Sequence, residues 1–260
     1  MARAGRDFIA CRWVSVAHGV AVAVFGAALF AIARDRFWLL AGAFSGFLVV
    51  APVLATGLYA LSRALERGEK ADFALLVRTW TRWGVNRRSD PSSYWCLVRF
   101  GLLLAFAGTG WVLTSAAFIT LFSPVAISSP EDFVRHVVLA PDHFVFEAWL
   151  TMGGLLAAPV FASSVISMPL LLDRHVNALD AVLVSWRVVM ANPVTMAVWA
   201  LMLMIFTFCG FVTALLGMMA IVPMLGHASW HAYRDLVDAS AISERVAAND
   251  ATGTATRAQA

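Results

Sequence analysis

Five long apolar runs divide the chain: Trp13–Ala33, Phe37–Leu61, Leu97–Phe122, Phe144–Leu172, and a last one from Val194 that continues through Gly226-His227-Ala228-Ser229-Trp230 to Arg234. A helix of about 20 apolar residues crosses the ~30 Å hydrocarbon layer, where the backbone must satisfy its own hydrogen bonds. The first four runs suit single crossings. The fifth is too long for one and divides near Leu216-Gly217. The pattern predicts an all-α polytopic membrane protein with six transmembrane helices, at about 13–33, 37–61, 97–122, 144–172, 194–216 and 217–236, arranged as three hairpins. Composition agrees. Of 260 residues, 61% are hydrophobic and 13% charged, where a soluble domain is about half apolar and a quarter charged. That excludes an ordinary soluble enzyme, a disordered chain and a nucleic-acid binder. The first run is too long for a signal-peptide core and reads as a retained helix. Cys11, Cys96 and Cys209 cannot form a disulfide framework.

Basic residues assign the sides. Arg3, Arg6 and Arg12 precede the first span, and Arg63, Arg67, Lys70, Arg78, Arg82, Arg87 and Arg88 lie between the second and third. Arg174 and Arg187 separate the fourth and fifth spans, and Arg234, Arg245 and Arg257 follow the sixth. The opposite loops carry only Arg34, Arg36 and Arg135. By the positive-inside rule both termini are expected in the cytoplasm. The expected domain is 1–238, followed by a flexible cytoplasmic tail at 239–260.

A repeated unit is also expected. Pro52, Leu54, Tyr59 and Arg63 match Pro223, Leu225, Trp230 and Arg234 at one offset of 171, and Pro159 echoes Pro52 in the fourth span. After the second span, Phe73, Leu76, Val77 and Trp80 recur at helical spacing; after the fourth, Leu179, Val182, Leu183 and Trp186 do the same. These predict interfacial amphipathic helices, closed by Asp90-Pro91 and Asn192-Pro193, with Trp80, Trp83 and Trp186 at headgroup depth and Arg78, Arg82 and Arg187 toward anionic lipid. On the outer side, Ser129-Pro130-Glu131-Asp132 reads as an N-cap, an N1 proline and an acidic first turn.

The run Val50–Arg63, followed by Glu66-Arg67-Gly68, is similar to an uncharacterised bacterial family of six-helix inner-membrane proteins. So are Met168-Pro169-Leu170-Leu171-Leu172-Asp173-Arg174 and the segment Gly226–Leu236. Members are filed under a domain of unknown function, sometimes labelled cytochrome c oxidase subunit I. The resemblance runs over most of the chain and implies a fold and a bacterial inner-membrane location, with no catalytic residues to carry over. The oxidase label fails on the histidines. Only His18, His227 and His231 fall in or beside spans, too few to ligate two haems and a copper.

The remaining candidates are therefore structural or functional fixtures of the helices: Pro52, Tyr59, Arg63, Pro159, Pro169, Pro223, Trp230 and Arg234. His227 and His231 are one turn apart and His18 enters the first span from the same side, so these three are the candidate metal ligands; packing and hydrogen bonding is the favoured reading. No nucleophile-base pair, phosphate loop or Cys/His metal spacing is present, and no cofactor is expected. The function expected is a non-catalytic accessory or assembly component of a membrane complex. A small-solute transporter or channel is the alternative, and a haem- or metal-handling protein the second. The expected partners are the lipid bilayer and another membrane-complex subunit or a second copy of the chain.

Overall fold

The computed structural model describes residues 1–33, 36–85 and 95–244, without the side chains of 44–45, 47–50, 80–85 and 95–96. The expectations for Arg34, for Asp90-Pro91, for the rings of Trp80 and Trp83, for Arg82 and for the tail beyond 244 lie outside these residues. The described chain is mainly helical, and among the described residues its one β-type pairing is an isolated bridge between Arg174 and Glu244.

A short helix, α1 (Ala2–Ala10), leads into α2 (Arg12–Ala33); then come α3 (Phe37–Leu54), α4 (Thr56–Glu66) and α5 (Phe73–Val85). The helices α6 (Trp95–Phe122) and α7 (Pro130–Phe133) follow, α7 running on into a π-helical turn at Val134–Val138. The rest is α8 (Phe144–Ser164), α9 (Ser167–Asp173), α10 (Ala178–Ala191), α11 (Pro193–Val212) and α12 (Met218–Leu236). Among the described residues, four helical stretches are long and apolar enough to cross a membrane: Arg12–Ala33, Leu97–Phe122, Phe144–Asp173 and Pro193–Val212. The second and sixth expected spans differ in kind: α3 is 18 residues long and carries no charge, whereas α12 carries His227, His231, Arg234 and Asp235.

Two expected spans are broken. At 37–61 the helix interrupts at Ala55, where Leu58 N–H bonds back three residues to Ala55 (2.9 Å) and the Thr56 hydroxyl bonds the Val53 carbonyl (2.6 Å). Pro52 removes a backbone donor one turn earlier. At 144–172 the break falls at Val165-Ile166, four residues before Pro169, whose missing N–H leaves the Val165 carbonyl without its helical partner. Ser185 of α10 receives the orphaned Ile166 N–H at 3.2 Å. Pro159 and Pro223 sit inside α8 and α12 without breaking them. The backbone break at Ala55 has no counterpart in α12, where the position matched by the 171 offset, Gly226, is continuous helix.

Several local signals form as the sequence suggests. Ser129 and Asp132 make a reciprocal capping box with Pro130 at N1. Asp72 caps α5 through Leu75 N–H (2.8 Å), and Asn177 caps α10 through Asp180 N–H (2.8 Å). Gly68, at φ +68°, supplies the left-handed residue that turns the chain out of α4. The turn expected at Leu216-Gly217 spans Thr213–Gly217 and places Ala214 (φ 51°) and Leu215 (φ 69°) in the left-handed region. The Thr213 hydroxyl accepts from Gly217 N–H and holds that turn closed.

Apolar side chains gather at both ends of the bundle. At one, Ile119, Ile127 and Val137 pack with Phe37, Trp38, Phe133 and Trp149. At the other, Tyr59, Leu97, Phe100, Met168, Leu170, Leu171, Trp230 and Tyr233 form the largest cluster. Ala239 is buried there and Ile242 packs on it, so the chain stays docked past residue 238. The same end collects α1, the start of α2, and the ends of α4, α9 and α12. The outer faces of α6 and α11 are apolar and exposed, as lipid-facing helices are. On α10 the expected stripe divides: Leu179, Leu183 and Trp186 are exposed, while Val182 packs inward, and the Trp186 Nε1–H bonds the Ser163 hydroxyl of α8 (2.9 Å). On α5, Phe73 and Val77 point outward and Leu76 packs inward.

Candidate functional site

The end that gathers the helix termini is also where the ionisable side chains meet. Its centre is Asp173, the last residue of α9, whose side chain is 3% exposed. Arg63 of α4 approaches Oδ1 at 3.0 Å and Arg67 at 3.7 Å. Arg174 reaches Oδ2 through Nε at 2.9 Å, and the Tyr233 hydroxyl of α12 donates to the same oxygen at 2.9 Å. Arg63 also faces the carbonyls of Leu172 (3.4 Å) and Asp173 (3.3 Å), which the end of α9 leaves open. Glu244 closes the outside of this cluster, pairing with Arg67 (2.7 Å) and Arg174 (3.3 Å). Arg174 Nη1 donates to Ile242 O (3.0 Å), and the His175 N–H bonds the Ser243 carbonyl (3.0 Å). Burial alone would lower the Arg174 guanidinium, which lies outside the bilayer core, but Asp173, aided by Tyr233, holds it above the usual value.

Arg234 joins this cluster to a second one. It lies 3.2 Å from Glu66 and 4.0 Å from Asp173. Glu66 in turn stands 3.5 Å from His231 Nδ1, and His231 Nε2 is 2.8 Å from Asp7 of α1. Asp7 receives the Ser62 hydroxyl at 2.7 Å; Ser62 also meets His227 Nδ1 at 2.7 Å, and His227 Nε2 meets the Ser15 hydroxyl of α2 at 2.9 Å. Arg3 adds an ion pair with Asp235 at the rim. Burial alone raises the Asp7 carboxyl, but hydrogen bonds from His231 and Ser62 outweigh it and hold Asp7 below the usual carboxylate range. An ionised Asp7 accepts only, so Ser62 spends its one proton there and must accept from His227. His227 therefore carries its proton on Nδ1, and Ser15 donates to Nε2. Four elements, α1, α2, α4 and α12, are joined through one ring.

The sequence candidates fall unevenly on this site. Arg63 and Arg234 are in it, both on Asp173. Tyr59 and Trp230 are buried beside it, the Trp230 ring centred 5.4 Å from the Tyr233 ring and tilted 59° to it, and the Tyr59 hydroxyl facing Ser229. Pro52 and Pro169 belong to the two helix breaks, and Pro159 and Pro223 lie within the continuous helices α8 and α12. The histidines divide: His227 is held between two serines, His231 between two carboxylates, and His18 Nε2 is buried with no hydrogen-bond partner among the described residues. No three His, Cys, Asp or Glu side chains among the described residues are grouped to hold a metal. Asp7, Ser15, Ser62, Glu66 and Asp173 were not among the sequence candidates. Asp7 and Asp173 had a signal: each is a lone acid at a span boundary, Asp7 between Arg6 and Arg12 and Asp173 directly before Arg174.

A family model described as predicted integral membrane protein (DUF2189) matches residues 39–173. The chain belongs to that family. The matched stretch runs from α3 to the end of α9 and stops on Asp173, so it contains Arg63, Glu66, Arg67 and Asp173 and leaves Asp7, Ser15 and the α12 residues outside. No curated protein and no solved structure matches the chain.

His227 has a measurable structural weight. His227→Ala leaves the buried Ser15 hydroxyl without its acceptor and Ser62 without the donor it accepts from, and an unmade buried hydrogen bond costs about 1–3 kcal/mol. The expected result is an unfolding free energy in detergent lower by that amount; a parent-like stability would show that the two serines do not depend on the ring.

Proposed function

We propose that the protein is a six-span component of the bacterial inner membrane, with both termini cytoplasmic, that serves as a non-catalytic accessory or assembly subunit of a membrane complex. In this reading α3–α4 and α12 complete the set of crossings. This reading is supported by Arg3, Arg63, Arg67, Arg174 and Arg234, which share one end of the bundle with α1, the distribution the positive-inside rule favours for cytoplasmic segments.

One observation carries the reading. The carboxylates of the clamp, Asp7, Glu66, Asp173 and Glu244, are each engaged by side chains of another element. Their chemistry is directed inward, to fixing helix ends against one another. Outside the clamp, α8 presents Gly154 with open space where a Cβ would stand, and Ala158 exposed one turn on. Small residues four apart are where a second membrane helix can approach closely. The two broken helices favour a small-solute transporter as the second reading, since irregular backbone at membrane depth serves transport sites.

Extraction from native membranes in mild detergent, with mass analysis of what co-purifies, separates the readings. A discrete complex with another membrane protein or a second copy, lost in Gly154→Leu, is expected. A monomer that mediates solute uptake into liposomes would overturn the accessory role in favour of transport.

A further inference from the structure

A groove lies at the corner where α1 turns into α2. Ile9, Ala10, Cys11, Arg12, Trp13 and Val14 form one wall, and Ala71, just before α5, stands on the other. The corner is fixed from within: Cys11 is buried in a cluster with Leu58 and Leu61, against which Val14, Ala71, Leu75 and Leu76 pack. The outer surface is different. Ile9 is 72% exposed and Trp13 77%, and Phe73 at the start of α5 is 58% exposed. A tryptophan with an aliphatic neighbour at a helix end suits the boundary between headgroups and acyl chains.

Cations border this apolar surface. The Arg12 guanidinium lies 5.5 Å from the centroid of the Trp13 ring, an arrangement that leaves its N–H edge free for an anion. Lys70 is exposed and adjoins Ala71 on the opposite wall, and Arg6 is exposed on α1, one turn from Ile9. Among the described residues none of these three cations is engaged by a carboxylate, whereas Arg3, Arg63, Arg67, Arg174 and Arg234 all are. Of the acids beside the groove, Asp72 is taken up in capping α5 and lies 3.9 Å from Arg78; Glu69 is the other.

We propose that this groove binds one anionic phospholipid of the adjoining leaflet, its acyl chains over Ile9, Trp13 and Phe73 and its phosphate between Arg12 and Lys70. Charge complementarity selects the occupant. A soluble anion leaves the Ile9–Trp13 surface in water, and an apolar peptide leaves the cations unmatched. An amphiphile with an anionic head satisfies both. This site goes beyond the accessory role and does not rest on it.

Native mass spectrometry and thermal unfolding of the full chain in neutral detergent test it. Phosphatidylglycerol, phosphatidylcholine of the same chains, and inorganic phosphate are the probes. The parent should retain and be stabilised by phosphatidylglycerol over phosphatidylcholine. Arg12→Gln with Lys70→Gln should lower that preference by roughly fivefold for each charge removed, and Trp13→Ala should weaken both lipids. Arg12→Lys must keep the preference that Arg12→Gln loses, which separates charge from any effect on folding. Equal retention of the two lipids, a preference unchanged in the double variant, or stabilisation by inorganic phosphate equal to that by phosphatidylglycerol would each overturn the proposal.

Discussion

Asp173→Ala should destabilise the protein by about 3–5 kcal/mol, the cost of leaving buried cations without their counter-charge. Arg63 and Arg174 are 9% and 7% exposed, too dry for water to take over the role of the carboxylate. The loss should also spread. Tyr233 loses its acceptor, Arg174 loses one of the two acids that hold it over residues 242–244, and α9 loses its ion pairs to Arg63 and Arg67. Denaturant unfolding in detergent, followed by tryptophan fluorescence, measures the first effect; faster proteolysis around residue 244 reports the second. The exposed Arg3–Asp235 pair provides the contrast. Its side chains are 43% and 55% exposed, and such pairs contribute roughly 0–1 kcal/mol. Arg3→Ala should therefore be close to neutral. If Asp173→Ala is equally mild, the acid is not the centre of the clamp.

Periodicity and charge made the membrane helices legible, because twenty apolar residues between charged ends have few other uses. The two amphipathic helices, the outer capping box and the tight turn before α12 were legible for the same kind of reason, each being set by neighbours in sequence. What stayed hidden was set by neighbours in space. Asp7 meets His231 across 224 positions and Asp173 meets Tyr233 across 60, and no local pattern encodes either. His227 and His231 were visible as a pair one turn apart. Their partners were not: a shared metal would need the two rings to converge, whereas each is turned toward its own set of serines or carboxylates. Pro52 and Pro169 pointed to irregular backbone, but Pro159 and Pro223 carried the same signal and sit in continuous helix. A proline removes a hydrogen bond wherever it stands. Whether the helix then breaks depends on what else can satisfy or fill the gap, such as Thr56 or Ser185, and that is tertiary information.

Gly19→Ala should be as damaging for a steric reason. An added Cβ on Gly19 would lie 2.2 Å from the Met219 carbonyl oxygen and 2.8 Å from the Met219 Cα and carbonyl carbon. All three are backbone atoms, so no side chain can rotate aside, and α2 must move away from α12. Overpacking where only relaxation of a side chain is needed already costs about 1–3 kcal/mol; here a whole helix contact opens, and about 3 kcal/mol is expected. Ser15 stands one turn before Gly19 and makes its bond to His227 across the same contact (2.9 Å), so separation of the helices also lengthens that bond. Gly110→Ala is the control. It sits in α6 with nothing within 4 Å of the added Cβ, and by helix propensity it should be neutral or stabilising by up to about 1 kcal/mol. A Gly19→Ala variant that melts with the Gly110→Ala protein would mean that α2 and α12 do not approach at Gly19. A selective loss at Gly19, made worse by Gly19→Val and accompanied by weaker dependence on His227, would tie the close approach of these two helices to the polar chain beneath it.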